Sequence, residues 1–423
     1  MEQTAADRFG NTHAPGLPYA RGEIIRSTED DIAKLQRAGR VIARIIETRG
    51  QDFVFNFTGL ERSLPLAPEE LALADDEIAP AVYGDRFRAA ALAHMGGTPG
   101  RHDAMLFNRL TAATVATHLT LVKPGDTVVG VSPTYSHPTI VRAVALAGAA
   151  FVEARDQRHF DELLATTEKV PLVALTRLAV SYDLLPDERI ERVIGAAHAR
   201  GARVYVDDAG GARVGPAIFQ QPKTLEMGAD VGATGLDKYG TVGPRLGLLA
   251  GERALVSQIR ARAFELGLEA RPMLYPAAVR SIENYRPERV RELVATTKRV
   301  GAVLRDVLGA RVHETPVTAQ LRGEDILELA MERGGVRERV IVPVEATAAL
   351  AMILLEDHGI ITVHFAGLPP GTSAMLVKFV VPETLERFGG AAAFAKAIDA
   401  SLDRLATLVG DPVAIRRLLL RDS

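Results

Sequence analysis

The stretch that decides the fold is Thr234–Gly251, with the sequence TGLDKYGTVGPRLGLLAG. It places Lys238 in a turn of small residues, and a glycine-rich return then leads into the apolar run 248–250. A lysine in such surroundings is poorly solvated, and desolvation lowers the pKa of an amine and makes it a nucleophile toward carbonyl groups. An exposed lysine on a glycine turn is the alternative, and this stretch alone does not separate the two.

A carboxylate partner for Lys238 lies 31 residues upstream, after the predicted strand 202–206. This strand is apolar and ends in Asp207 and Asp208. In a parallel α/β sheet, ligands bind at the carboxyl ends of the strands. Successive side chains on a strand point to opposite sides, so only one of the two aspartates faces the ligand. We expect Asp207 to face it and Asp208 to cap or pair locally.

The order of the predicted elements indicates an α/β protein. Between residues 51 and 285, apolar strands alternate with helical segments of about a dozen residues, a pattern that predicts a mostly parallel sheet covered on both faces. The chain divides into an N-terminal arm and helix (1–50), a large domain (51–285) and a small C-terminal domain (286–423). The elements predicted for the last segment are strands near 340–344, 360–365 and 375–380 and helices near 287–308, 346–355 and 382–409.

The segment 105–113 combines the end of a short apolar strand with the start of a helix of small residues. The first turn of a helix has free N–H groups and a favourable dipole, and it binds phosphate. A plain buried helix start is the other interpretation. We expect an anion at the four residues of this turn, which are Asn108, Arg109, Leu110 and Thr111.

A second strand-to-helix turn, at 132–140, carries the flat side chains of Tyr135 and His137. A flat side chain at such a turn can stack on a ring-shaped ligand. His137 is our first choice because it immediately precedes the next helix, and Tyr135 is the second. A surface histidine is the alternative. We expect Ser181, in the loop after the predicted strand 172–176, at the edge of the same ligand.

Four further side chains are candidates for contact with a substrate. Thr58 lies on a segment that forms either a rim of the site or an ordinary turn, and Tyr83 lies at the end of a polar helical stretch. Arg177 follows a predicted strand, and Arg271 could hold a carboxylate through a bidentate contact. Lys378 lies on a predicted strand of the small domain, and as a point charge it does not provide the fork of an arginine clamp.

Composition argues against several classes of protein. The net charge is −3, which provides no electrostatic case for nucleic acid or an anionic membrane. The chain has no cysteine, so disulfides, a thiolate nucleophile and a cysteine-bound metal are excluded, and we predict no metal site. The N-terminus lacks an apolar signal segment, and no apolar run approaches the length of a membrane span. We expect a cytoplasmic protein.

Three segments resemble one group of the fold-type I (aspartate aminotransferase) superfamily of pyridoxal phosphate enzymes. This group contains the bacterial selenocysteine-synthase-like proteins and amino-sugar-acid ammonia-lyases. The resembling segments are Asn56-Phe57-Thr58-Gly59 (its N-x-T-G), Phe107–Ala113 (its Asn-rich phosphate loop), and Asp237-Lys238 with Gly243-Pro244-x-x-Gly247 (its D-K…G-P-x-x-G).

The resemblance to the superfamily covers most of residues 50–423, and it includes the spacing of about thirty residues between aspartate and lysine. The chain departs from the group in having one Asn in the phosphate loop and one more residue between Lys238 and Gly243-Pro244. Its Ser-His-Pro-Thr-Ile and Val-Asp-Asp-Ala segments are more similar to α-oxoamine synthases.

The resemblance implies a seven-stranded, mostly parallel sheet in the large domain, a smaller C-terminal α/β domain and pyridoxal 5'-phosphate as cofactor. It implies that Lys238 holds the cofactor aldehyde as a Schiff base, that Asp207 keeps the ring nitrogen protonated and that His137 stacks on the ring. Turn 108–111 would hold the phosphate, and Ser181 the ring edge. A homodimer, or a larger assembly built from dimers, is also implied.

The implied reaction acts on an amino-acid-like substrate through an external aldimine and a Cα carbanion. We predict a lyase that catalyses α,β-elimination or β-replacement. An aminotransferase or a retro-aldol aldolase uses the same residues. A non-enzymatic alternative is an α/β protein that binds an anion without pyridoxal phosphate, but the Asn108 turn has no G-x-G-x-x-G pattern. A cofactor-binding regulator would need a DNA-binding domain, and the 26 residues before the first predicted helix are too few to supply one.

Overall fold

The computed structural model describes residues 5–365 and 368–420 of the 423-residue chain. They form two compact units, one that comprises the chain up to Gly59 and from Glu292 onward, and one over Leu60–Arg291. The predicted division into 1–50, 51–285 and 286–423 stays a prediction, although residues 5–50 belong to the same unit as the C-terminal segment. Within the described ranges, no helix has the length and apolarity that a membrane span requires.

Fifteen α-helices lie among the described residues. They are α1 Thr28–Arg49, α2 Ile78–Met95, α3 Leu110–Leu121, α4 Pro138–Leu146, α5 Gln157–Thr166, α6 Asp187–Ala199, α7 Gly211–Phe219, α8 Arg253–Leu266, α9 Tyr275–Glu283, α10 Pro287–Leu308, α11 Gly323–Gly334, α12 Pro343–His358, α13 Pro382–Phe388, α14 Gly390–Leu408 and α15 Pro412–Leu419.

The strands are short, as expected for an α/β protein. They are β1 Phe55–Asn56, β2 His102–Phe107, β3 Thr127–Val131, β4 Ala150–Glu153, β5 Leu172–Thr176, β6 Arg203–Asp207, β7 Val231–Gly235, β8 Gly247–Glu252, β9 Val312–Glu314, β10 Thr318–Arg322, β11 Ile360–Ile361 and β12 Ala374–Lys378.

The unit over Leu60–Arg291 is built on a seven-stranded sheet with the order β2-β8-β7-β6-β5-β3-β4. Neighbouring strands from β7 to β4 pair in parallel, and β8 runs antiparallel to both β7 and β2. This confirms the predicted large, mostly parallel sheet. Its strands are fully buried at the centre because helices cover both faces, which is why they read as continuous apolar runs.

The sheet order explains where a ligand binds. Strand β6 has β5 on one side and β7 on the other, and all three point the same way. Their carboxyl ends therefore form one edge, which carries Asp207 and the loops that begin after Thr176 and Gly235. The turn between β3 and α4 starts from this same edge, so four loops that are distant in sequence converge there.

The other unit has a three-stranded antiparallel sheet, β12-β10-β9, and a parallel pair, β1 with β11. The segment predicted as a strand at 340–344 is instead the entry to α12, which begins at Pro343; proline is favoured in the first turn of a helix. The predicted helix 382–409 is interrupted at Gly389, whose φ of 106° is left-handed. Strands β9 and β10 were not predicted from the sequence.

The N-terminal arm packs within its own unit. The N–H groups of Ile24 and Ile25 both donate to Glu345 Oε1, at 2.7 and 2.9 Å. The hydroxyl of Tyr19 donates to the Pro370 carbonyl at 2.9 Å. Burial of the two isoleucines next to α12 supplies the apolar part of this attachment.

Candidate functional site

Asp207 and Lys238 lie at the carboxyl ends of two neighbouring parallel strands. Asp207 is the last residue of β6, and Lys238 comes three residues after the end of β7. The hydroxyl of Thr241 accepts from the Lys238 N–H at 3.2 Å and donates to the Lys238 carbonyl at 2.7 Å, which closes the turn. The lysine side chain passes over Gly235, where an added Cβ would lie 3.0 Å from Lys238 Cε. A glycine ends β7 because the lysine occupies that space.

Burial and charge act in opposite directions on the lysine amine. Burial lowers the pKa of Lys238, and the carboxylates of Asp237 and Asp207 offset part of that effect. The pKa stays below the ordinary lysine value. A larger fraction of the amine is therefore neutral at a given pH, as a nucleophile toward a carbonyl requires.

The Asp207 carboxylate is buried and incompletely hydrogen-bonded. The residue is 5% exposed, and its Oδ1 has no hydrogen-bond partner within the described part of the chain. Burial raises the pKa of Asp207 to about 6; Lys238 and the Ala209 N–H oppose this effect, and Asp208 adds to it. A buried oxygen without a partner is costly, so a donor from outside the chain would stabilise it. The protonated ring nitrogen of pyridoxal phosphate is such a donor.

Asp208 pairs locally, as its side-chain direction on β6 predicts. Arg177 is fully buried; its Nε donates to Asp208 Oδ1 at 3.0 Å and its Nη2 to Oδ2. Thr224 Oγ1 also donates to Oδ2, at 2.6 Å, and Arg177 Nη1 donates to the Pro222 carbonyl at 2.6 Å. The guanidinium of Arg177 is thus enclosed by partners within the core, and its substrate contact stays a prediction.

His137 is the N-cap of α4, and this role fixes its ring. Its backbone is held near φ −59° and ψ 137°, in the extended region that a following proline requires. Nδ1 accepts from the Thr139 N–H at 3.1 Å. Burial, with the positive charges of Lys238 and Arg142, lowers the pKa of His137 to about 3, so the ring is neutral at physiological pH. A fixed neutral ring can cover one face of a planar cofactor.

The turn before α3 leaves helix N–H groups for an anion. Arg109 is the N-cap residue, and its side chain makes no capping hydrogen bond. The N–H groups of Leu110 and Thr111 lie in the first turn, where a helix supplies no internal acceptor. Asn108 is exposed, and its Nδ2 donates to the Gly267 carbonyl at 3.4 Å. This geometry suits a phosphate at the helix N-terminus.

A guanidinium beside this turn was missed in the sequence analysis. Arg245 lies on the return 243–247, and an added Cβ at Gly247 would lie 2.8 Å from the Arg109 carbonyl oxygen, so the two backbones touch. Partial burial and the guanidiniums of Arg109 and Arg62 lower the pKa of Arg245 to about 10. Neighbouring cations of this kind favour a multiply charged anion. The available signal was an arginine between the glycines that follow the lysine.

Arg62 ties a rim segment to the lysine turn. Its Nε donates to Asp237 Oδ2 at 2.8 Å. The backbone of this segment pairs with the return, since the Gly243 N–H donates to the Glu61 carbonyl at 3.2 Å and the Ser63 N–H to the Gly243 carbonyl at 3.1 Å. The Asp237 carboxylate, next to Lys238 in the chain, is thus ion-paired with Arg62. Of the two carboxylates near the lysine, we therefore expect Asp207 to be the acceptor for a ligand.

Two tyrosines with left-handed backbone complete the surroundings. Tyr182 has φ 68° and Tyr239 has φ 42°, and their hydroxyl oxygens are 2.6 Å apart. The Tyr239 ring fills the space beside Gly210, where any side chain would collide with it. Such backbone costs about 1–3 kcal/mol per residue and clusters at functional sites. Ser181, next to Tyr182, lies with its Oγ 3.0 Å from Thr134 Oγ1, on the turn that carries His137.

The remaining substrate candidates lie in different surroundings. Tyr83 is buried, and its hydroxyl donates to Glu70 Oε1 at 3.3 Å; its substrate contact stays a prediction. Arg271 is exposed and ion-paired with Asp76, and Thr58 belongs to the other unit. The substrate contacts of Arg271 and Thr58 stay predictions.

Curated relatives cover most of the chain. A UPF0425 pyridoxal phosphate-dependent protein of Methanothermobacter thermautotrophicus is 32% identical over 357 residues, which are 83% of this chain and 88% of the relative. The protein of the same description from Methanosphaera stadtmanae is 29% identical over 344 residues, 81% of this chain and 86% of the relative. Models of known protein families were also compared, and none matches.

Solved structures show the same fold at low identity. N-succinyldiaminopimelate aminotransferase from Mycobacterium tuberculosis has a TM-score of 0.56 at 16% identity, covering 86% of this chain and 96% of that one. The SepCysS–SepCysE N-terminal domain complex has a TM-score of 0.56 at 15% identity, covering 85% and 96%. Sphingomonas wittichii serine palmitoyltransferase has a TM-score of 0.53 at 19% identity, covering 88% and 84%. These neighbours confirm the fold-type I scaffold.

Proposed function

Because the chain belongs to the UPF0425 family of pyridoxal phosphate-dependent proteins, we propose that it is an enzyme that binds this cofactor at Lys238 and acts on an amino-acid-like substrate. The proposed reaction is that of a lyase, either α,β-elimination or β-replacement. The observation that carries the proposal is the buried Asp207 Oδ1, which has no hydrogen-bond partner in the described part of the chain and lies on the strand beside the one that leads to Lys238.

The residues around Asp207 fit the parts of the cofactor. Asp207 can accept from a protonated ring nitrogen, and His137 supplies a neutral flat face. The N–H groups of Leu110 and Thr111, with Arg245 beside them, can hold a phosphate. Pyridoxal phosphate, when bound, supplies an electron-accepting ring that stabilises negative charge at the substrate Cα.

Lys238 has two tasks in this proposal. As a partly neutral amine it would hold the cofactor aldehyde, and when not bound to the aldehyde the same amine would take and return the proton at the substrate Cα. Asp237 and Asp207 keep the amine from losing all of its basicity, because both raise the pKa that burial lowers. Asp207 meanwhile keeps the proton on the ring nitrogen, which maintains the electron demand of the ring.

The choice of a lyase is supported by sequence resemblance. The D-K…G-P-x-x-G pattern around Lys238 and the N-x-T-G segment at 56–59 resemble the group that contains the ammonia-lyases. Transamination and retro-aldol cleavage start from the same bound state, so they are outcomes that the substrate test must distinguish.

We also propose a homodimer or a larger assembly built from dimers. Four apolar side chains on the segment 64–82 are exposed: Leu64 by 52%, Leu71 by 63%, Ile78 by 43% and Val82 by 54%. We expect a second copy of the chain to cover these exposed apolar side chains. A fully active monomer in sedimentation at assay concentration would contradict this proposal.

The test of the function is an absorption spectrum of the purified protein, with and without added pyridoxal phosphate, before and after borohydride. We expect a visible band that borohydride removes, no such band in Lys238→Ala, and an unchanged band in the exposed control Lys123→Ala. A panel of amino acids then identifies the reaction: release of ammonia and a keto acid indicates elimination, and conversion to the pyridoxamine form indicates transamination. No band in the wild-type protein would contradict the cofactor site.

A further inference from the structure

The turn that carries His137 is held by one carboxylate. Glu153 accepts from Ser132 Oγ at 3.0 Å, from the Ser136 N–H at 2.9 Å and from Ser136 Oγ at 3.1 Å. Elsewhere on the turn, Thr134 Oγ1 lies 3.0 Å from Ser181 Oγ, so Glu153 accounts for the hydrogen bonds of the two serines that flank Thr134. Building on the proposed function, we infer that Glu153 is a positioning residue that acts through His137 and sets its ring against the cofactor.

Sheet register places Glu153 under the turn. Strands β3 and β4 are parallel, and Gly130 is the partner of Glu153 in that register. Because Gly130 has no side chain, the Phe151 ring and the turn can both approach it: an added Cβ there would lie 2.4 Å from Phe151 Cζ and 2.9 Å from Ser136 Oγ. Ser136 therefore lies close to Gly130, beside the ring, and meets the carboxylate on the adjacent strand.

The contacts restrain the chain on both sides of the ring. Glu153 holds the N–H of Ser136, immediately before His137, and His137 itself accepts from the N–H of Thr139. Pro138, which lies between His137 and Thr139 in the chain, keeps the backbone of His137 in the extended region. Hydrogen bonds to an ionised acceptor are stronger than those between neutral groups, so the first restraint depends on the carboxylate. Without it, the residue before the ring loses its main anchor.

A purely structural role for Glu153 is the alternative, and a double-mutant cycle separates the two. The variants are Glu153→Gln, His137→Ala and their combination, with Glu162→Gln on the exposed face of α5 as matched control. Two properties are measured: the Kd of pyridoxal phosphate for the full-length apoprotein, and the visible circular dichroism of the bound cofactor, which reports the asymmetry around the ring.

We expect Glu153→Gln to raise Kd about tenfold and to weaken the dichroism, since one acceptor of the carboxylate becomes an N–H₂ donor. In the His137→Ala background the same substitution should change neither property, and Glu162→Gln should behave as wild type. Ser136→Ala, which removes one donor and keeps the N–H bond, should show a smaller effect with the same dependence on His137, and it serves if Glu153→Gln does not fold.

Equal effects of Glu153→Gln in both backgrounds would overturn the inference, as would no effect in the wild-type background while His137→Ala weakens binding. If His137→Ala leaves Kd and dichroism unchanged, then the ring-stacking role of His137 in the proposed function is wrong, and the inference about Glu153 falls with it. The two failures are therefore distinguishable in one experiment.

Discussion

Asp207 and Asp208 are neighbours in the chain, but their carboxylates differ in how completely they are hydrogen-bonded. The Asp208 carboxylate is enclosed by Arg177 and Thr224, whereas Asp207 keeps a buried Oδ1 without a partner among residues 5–365 and 368–420. Their side chains point to opposite sides of the end of β6. One carboxylate therefore anchors the strand end within the core, and the other is available to a ligand.

Burial of the Asp207 carboxylate predicts a pH-dependent cost in the apoprotein. Folding raises the pKa of Asp207 to about 6, from an ordinary value of about 3.9. Between these values the folded state binds more protons than the unfolded state, so stability falls as pH rises. Relative to Asp207→Asn, wild-type apoprotein should lose about 2 kcal/mol of unfolding free energy from about pH 4 to pH 6, and almost nothing more above pH 7.

Urea unfolding of both apoproteins in steps of pH measures this difference. Asp207→Asn removes the ionisable group and keeps the shape, so other titrating groups cancel. A difference that does not change between pH 4 and pH 7 would show that Asp207 has an ordinary pKa and is satisfied within the chain.

The Arg177–Asp208 pair predicts a large loss of stability when one partner is removed. Arg177→Met leaves the Asp208 carboxylate buried without its guanidinium, which costs about 3–5 kcal/mol. Arg192→Met is the matched control, because that arginine is 65% exposed and its ion pair with Glu188 spans 3.7 Å; it should change the unfolding free energy by less than about 0.5 kcal/mol. Equal effects in urea unfolding would refute the structural role of Arg177.

His137 should be replaceable by another flat neutral ring. His137→Phe keeps a stacking face and loses the N-cap acceptor, so stability should fall by about 1 kcal/mol while Kd for pyridoxal phosphate rises less than about threefold. His137→Ala loses the face as well, and Kd should rise about tenfold. Absorbance titration of the apoproteins measures both.

The low pKa of His137 also predicts how the Kd values of these variants depend on pH. Since that pKa is lowered to about 3, the histidine gains no proton between pH 5 and pH 8, and the ratio of the wild-type Kd to that of His137→Phe should be constant over this range. A ratio that changes near pH 6.5 would mean that the imidazole titrates in the site and acts as an acid or base.

Arg245 should recognise the phosphate of the cofactor. Arg245→Gln removes a cation beside the α3 turn, and Kd for pyridoxal phosphate should rise about tenfold or more, because hydrogen bonds to charged groups contribute about 1.5–3 kcal/mol. Kd for pyridoxal, which has no phosphate, should change little. The exposed Arg262→Gln is the control. Equal loss of both ligands would place Arg245 at the ring or the lysine instead.

Residue order along the chain was sufficient to predict the superfamily, the mostly parallel sheet and Asp207, Lys238 and His137 as candidates. These are local properties: a buried strand is apolar, a helix start has small residues, and a lysine among glycines is poorly solvated. The helix at 287–308 was predicted with its observed bounds for the same reason. The strand predicted at 340–344 failed because a short apolar run before a helix has the same composition as a strand.

Contacts between distant segments were decided only in the folded chain. Its position after a predicted strand made Arg177 a candidate for substrate contact. In the folded chain β5 and β6 are adjacent, so the Arg177 guanidinium lies next to the Asp208 carboxylate and binds it. The left-handed backbone of Tyr182 and Tyr239 has no signature in composition, and neither has the contact of their hydroxyl groups or of the Tyr239 ring with Gly210, since each joins segments that are distant in the chain. Sequence by itself therefore determined which chemical groups this protein has and on which kind of element each lies. Tertiary structure decided which of those groups are hydrogen-bonded within the chain and which, like Asp207, we expect to bind a ligand. The reason is that hydrogen bonding depends on spatial neighbours that the order of residues does not reveal.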